Sequence, residues 1–144
     1  MRNIIIFLII ISAAFYNYNS QHRPDQSIEQ PISVANQAIY DAYKNQRSDV
    51  QVRGTGIVSR ILSDDLEGSR HQRFILRMES GQTVLVAHNI DLAPRINSLS
   101  EGDSVEFYGE YEFNTKGGVV HWTHHDPDNY HENGWLIHRG SRYE

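Results

Sequence analysis

The chain has 144 residues, a formal net charge of −5 and no cysteine. That length suits one domain behind a short leader, and the acidic balance argues against generic nucleic-acid binding, which calls for a strongly basic footprint. Without cysteine there is no disulfide framework and no thiolate ligand, so any transition-metal site must use imidazole and carboxylate.

Residues 1–14 read as a signal peptide. Arg2 precedes eight consecutive large apolar residues, Ile4 to Ile11, a run shorter than the roughly 20 needed to span a bilayer. Ser12 and Ala14 supply the small residues of a cleavage site, which predicts cutting after Ala14. The alternative is an uncleaved anchor, and Asn17 and Asn19 interrupt the extension it needs. The expectation is export to the periplasm or beyond, with no stable membrane span after cleavage.

Residues 15–30 are polar and turn-rich and read as a linker. Residues 31–48 form an expected N-terminal helix. Pro31 suits a first helical turn, and Ile32, Ala35, Ile39 and Ala42 fall on one stripe beside Tyr43, predicting a helix over 32–46.

From Val50 the apolar period changes to two, and residues 49–144 read as a β domain. A long strand over 51–62 carries Gly54 and Gly56, which predict a bulge or sharp coil. A turn over 63–69 leads to a second strand in which Phe74, Leu76 and Met78 alternate with Arg73, Ile75 and Arg77. The sequence Glu79-Ser80-Gly81-Gln82 then turns the chain into Thr83 to Ala87. Residues 88–103, with Pro94, read as a connection containing a short helical turn. Val105, Phe107, Gly109, Tyr111 and Phe113 alternate with polar residues, and Asn114 to Gly117 turns that strand into 118–123. Five strands in this order match an OB-fold barrel; an immunoglobulin-like sandwich needs about seven. The expected class is all-β: a five-stranded OB-fold-like barrel with an N-terminal helix and a C-terminal hairpin, Gly134 to Tyr143.

Two sets of residues carry candidate chemistry. Five of the eight histidines lie between His121 and His138. His121, His124, His125 and Asp126, with His88 from elsewhere in the barrel, are candidate ligands for Zn²⁺ or another divalent metal, because imidazole is the commonest transition-metal ligand. On a continuing strand His121 and His124 face opposite ways, so convergence requires a bend near Thr123. Asp91 is a further candidate ligand or base. The competing reading makes these histidines packing residues around Trp122 and Trp135. The second set is Arg70, Arg73 and Arg77, which together with His88 and Trp122 suit an anionic ligand. Arg53 and Arg60 are expected instead to pair across strands with Glu106, Glu110 or Glu112.

The segments Gly68 to Phe74, Val86 to Pro94, Val119 to Pro127 and Gly134-Trp135 resemble an uncharacterised family of small exported bacterial proteins marked by His-Trp-Thr-His, here His121 to His124. The resemblance spans about Val50 to Tyr143 and implies relatives but no activity. The leading functional expectation is an exported binding module for an anionic oligomer or a protein partner of the envelope. The alternative is a metal-dependent phosphodiesterase or nuclease using the His121 to Asp126 cluster, although an enzyme is the less favoured reading. Gly-x-Ser-x-Gly is absent, and the His-x-Thr element at His121 has no second copy.

Overall fold

Strict alternation of apolar and polar side chains builds a barrel wall with one face sealed and the other wet. The computed structural model describes residues 31–144, so the segments expected to be leader and linker lie outside the described residues. One helix, α1 (Val34–Lys44), precedes seven strands: β1 (Val50–Ile61), β2 (His71–Arg77), β3 (Thr83–Asn89), β4 (Ser104–Glu112), β5 (Val119–His121), β6 (Trp135–His138) and β7 (Ser141–Tyr143). Strands β1 to β5 close on themselves in the order β1-β2-β3-β5-β4, with β4 returning to β1. The β3–β5 pairing is parallel and the others are antiparallel. The architecture is an OB-fold-like barrel with a helix before it and a hairpin after it.

Strand β1 reaches both neighbours because it is long. Its first part, Val50 to Ile57, pairs with β4, and Ile57 to Ile61 pairs with β2. The irregularity expected at Gly54 and Gly56 falls instead at Ser59, between Val58 and Arg60. The glycines serve close approach: a Cβ at Gly54 would lie 2.5 Å from Cζ of Phe107, and one at Gly56 would lie 3.0 Å from Cβ of Leu76.

Inward-facing Val52, Phe74, Leu76, Val84, Val86, Phe107 and Tyr111 fill the barrel. Burial pushes the Tyr111 hydroxyl up to about 12; it donates to the Gly117 carbonyl at 3.0 Å. Helix α1 packs against this core through Ile39 and Ala42, as its stripe predicts, but Asn36 rather than Ala35 completes the buried face. Asn36 Oδ1 accepts the Thr55 backbone N–H at 2.7 Å, so a polar residue is kept there by a specific donor.

Residues 90–103 contain turns and no helix. Gln72, inside the barrel, ties this connection down with both ends of its amide: Nε2 donates to the Ile96 carbonyl at 2.9 Å and Oε1 accepts the Ile96 N–H at 2.8 Å. Short β5 covers only Glu110 to Glu112 of β4, and β6 takes the rest of that edge, Val105 to Tyr108. The hairpin therefore continues the wall, with Leu136 fully buried. No helix among the described residues is long and apolar enough to cross a membrane.

Candidate functional site: a groove across β2, β3 and β5 with a carboxylate–histidine cluster on its rim

The pleat sends His71 and Arg73 of β2, Leu85, Ala87 and Asn89 of β3, and Val119 and His121 of β5 to the outside of the barrel. Two concavities of about 350 and 420 Å³ lie on this face and share His71, Ala87 and His121. Together they form one groove. Trp122 and His124 line one end of it, and Arg73, Asp65 and Glu112 line the other. Arg73 Nε donates to the Ser63 carbonyl at 3.1 Å, which fixes the guanidinium beside the groove.

The strand ends at His121, two residues before the expected end at Thr123. Trp122 has φ +52°, a left-handed conformation uncommon for a bulky residue. The turn lays its indole flat against the His131 ring, with centroids 4.1 Å apart and planes within 7°. The backbones are tight here: a Cβ at Gly134 would lie 1.9 Å from the Trp122 carbonyl oxygen. Asp126 organises the following loop by accepting the N–H groups of Asp128, His131 and Tyr130. These bonds, that from Asp128 foremost, hold its carboxyl below the usual range against the opposing effect of burial.

His131 is held from both sides. Its Nδ1 donates to the Glu132 carbonyl at 2.8 Å, and its Nε2 lies 2.6 Å from Glu110 Oε2. Since a carbonyl and a carboxylate both accept, each nitrogen carries a proton and the ring is an imidazolium. Burial opposes this charge most strongly, yet the Glu110 hydrogen bond, the Glu132 carbonyl and the nearby carboxylates outweigh it and raise the pKa. The other oxygen of Glu110 faces His121, with Oε1 3.4 Å from Nε2; Glu112 Oε1 lies 3.8 Å from the same nitrogen.

The expected metal ligands are not brought together. His88 points into the barrel, fully buried. Its Nε2 lies 3.1 Å from the Pro94 carbonyl, which only accepts, so Nδ1 is the unprotonated nitrogen and accepts the Thr123 hydroxyl at 2.8 Å. Burial pushes this imidazole down to about 4, although the Pro94 hydrogen bond favours the charged form. His88 is thus buried with both ring nitrogens engaged by protein partners, away from the outer groove. His124 is buried beside Trp122 with Nδ1 donating to the His125 carbonyl. His125 is exposed, 3.3 Å from Glu144, and Asp126 is spent on its own loop. Only His121 of the expected set stands in a mixed histidine–carboxylate cluster, with Glu110 and Glu112, one ligand atom of each lying within 4.8 Å of the others.

The arginines also separate. Arg70 is held by Asp91, Nε to Oδ1 at 2.6 Å, so each occupies the other. Arg77 lies away from the histidines, in a depression of about 520 Å³ beside Ser33 and Glu79. That depression is larger than either half of the groove, yet holds no histidine. Arg53 pairs with Glu106 at 3.5 Å, as expected, and also lies over Trp135. Arg60 has no carboxylate partner among the described residues, because the β1–β4 ladder ends at Ile57.

Glu110, Glu112 and His131 escaped sequence reasoning as site residues. The glutamates looked like ordinary outward residues of β4, and only the register that sets Glu110 opposite His121 shows otherwise. No curated protein matches the chain. A model of a family described as proteins of unknown function, DUF3465, matches residues 25–144, and the chain belongs to that family.

Proposed function

We propose that this protein is an exported binding module that takes an anionic oligomer along the groove over β2, β3 and β5. The observation that carries the reading is Arg73, anchored through Nε to Ser63 and facing a groove on the β2–β3 side of the barrel. OB-fold barrels commonly receive extended polymers on that side. Guanidinium suits phosphate or sulfate because it presents a planar fork of donors. His71 and His121 add imidazole along the floor, and Trp122 supplies an aromatic surface at one end. The apolar run at residues 4–11 supports export, which puts the ligand outside the cytoplasm.

The test is fluorescence anisotropy with two labelled probes, an oligothymidylate and a sulfated oligosaccharide, at low and physiological salt. At least one probe is expected to bind, more weakly as salt rises. Arg73→Glu is expected to weaken that binding by at least about tenfold, the equivalent of roughly 1.4 kcal/mol. Arg60→Glu, on the outer surface but outside the groove lining, serves as the charge control. No binding of either probe, or equal losses from both variants, would overturn the reading.

A further inference from the structure

We propose that Glu110, Glu112 and His121 form a three-ligand site for one divalent transition-metal ion, with Zn²⁺ the expected occupant. The site shares His121 with the groove floor, but its argument does not depend on what the groove binds. The starting observation is a contrast within one carboxylate. Glu110 holds His131 at 2.6 Å through Oε2, but its Oε1 stands 3.4 Å from His121 Nε2. Glu112 stands off as well, at 3.8 Å. Both distances exceed the roughly 2.7–2.9 Å of a charge-assisted hydrogen bond, so neither carboxylate is bonded directly to His121.

His121 Nε2 is shielded from solvent and has no hydrogen-bond partner. An orphaned nitrogen aimed between two carboxylate oxygens needs a counterpart. The spacing suits a metal ion: ligand atoms about 2.0–2.1 Å from a tetrahedral centre lie about 3.3–3.4 Å from one another. Glu110 to His121 already matches at 3.4 Å, Glu112 stands 3.8 Å from the same nitrogen, and all three ligand atoms lie within 4.8 Å of one another, so closure on an ion asks the Glu112 side chain to move inward. Nitrogen plus oxygen donors suit a borderline ion such as Zn²⁺, with Mn²⁺ the weaker competitor by the usual divalent order.

The surrounding charges agree. Glu110 and Glu112 place two carboxylates around the position a cation would take, and the His131 ring meets only the far oxygen of Glu110. His131 acts as a positioning residue: it holds Glu110 Oε2 and so orients Oε1 toward His121, the outer-partner arrangement common around metal ligands. Strand geometry supplies rigidity, since Glu110 and His121 are directly opposite in the β4–β5 ladder and Glu112 is two residues along on the same face. Three protein ligands leave a fourth position open, and both Glu112 and His121 line the groove.

The experiment is isothermal titration of the untagged, metal-stripped protein with Zn²⁺ and Mn²⁺, alongside visible absorption with Co²⁺. One equivalent of Zn²⁺ should bind, with a Co²⁺ spectrum of low coordination number. His131→Ala should weaken binding by roughly 10–100-fold, as expected for an outer partner, and His121→Ala and Glu112→Gln by more. His125→Ala, which removes a nearby exposed imidazole, should leave affinity unchanged. All four side chains lie outside the barrel core, and circular dichroism melts verify that each variant folds. Absence of one-equivalent binding, or His121→Ala binding as tightly as the parent, would overturn the proposal. So would a loss in His125→Ala equal to that in His121→Ala, since it would indicate scattered surface imidazoles.

Discussion

At the level of single residues, the histidines divide by the partners they meet. His88 and His131 are both tied by two hydrogen bonds, yet they sit at opposite protonation states. Nε2 of His88 meets a carbonyl and Nδ1 meets a hydroxyl, which lets the ring stay neutral; His131 meets two acceptors and must carry both protons. His88 makes stability pH-dependent in a calculable direction. Its folded-state pKa is lowered to about 4, whereas the unfolded chain takes up a proton near 6.5. As pH falls from 6.5 to 4 only the unfolded state gains that proton, so folding stability falls over that window, by about 3 kcal/mol in total, and levels off below it. Urea titrations between pH 7.5 and 3.5 check this against His88→Gln, whose curve should lack that part of the slope. Parallel curves for the two proteins would contradict the assignment.

At the level of elements, α1 and the β5–β6 loop show how polar groups direct local structure. Helix α1 is short, and isolated helices of about 12–15 residues are already marginal in water. It is held by Ile39 and Ala42 against the barrel and by Asn36 bonded to Thr55, while Tyr43 meets Phe113 with ring centroids 6.0 Å apart. Ile39→Ala should therefore destabilise the protein by about 2–5 kcal/mol, the usual cost of emptying a buried aliphatic site. An exposed helical control, Val34→Ala, should change stability by less than about 0.5 kcal/mol. Equal midpoints for the two variants in a denaturant titration would mean that α1 is not docked in solution. The loop after β5 has little apolar anchorage. It depends on the Asp126 carboxylate, the Trp122–His131 stack and the close approach at Gly134.

At the level of the whole molecule, the hairpin β6–β7 is added to the closed five-strand barrel along the free part of the β4 edge and packs into its core. Leu136 lies opposite Phe107 and is fully buried. His138 is also buried, its Nε2 2.8 Å from Asp103 at the entrance to β4. That bond, against the cost of burial and helped by Ser100 and Arg139, brings the Asp103 carboxyl down to about 2. Leu136→Ala should thus cost about 2–5 kcal/mol and lower the stability of the entire domain. Tryptophan fluorescence and far-ultraviolet circular dichroism should give one coincident transition. An early fluorescence transition with the β signal intact would mean that the hairpin unfolds alone.

Elements that depend on local pattern were readable in advance. Period-two patterning and the turns between them marked all five barrel strands, over 51–62, 73–78, 83–87, 105–113 and 118–123, within a few residues, and the stripe at Ile39 and Ala42 marked the helix, because burial of one face imposes the period. The C-terminal hairpin expected over Gly134 to Tyr143 likewise appears, as β6 and β7. The cluster on the groove was legible only as His121. Its partners are 9 and 11 residues earlier on another strand, and their meeting follows from the register of the β4–β5 hairpin, which the geometry of the 114–117 turn sets and alternation alone does not fix. The inward turn of His88, the pairing of Arg70 with Asp91 and the engagement of Asp126 with its own loop are tertiary outcomes of the same kind. Residue types limit which donors and acceptors exist, while chain closure decides which of them are left facing one another.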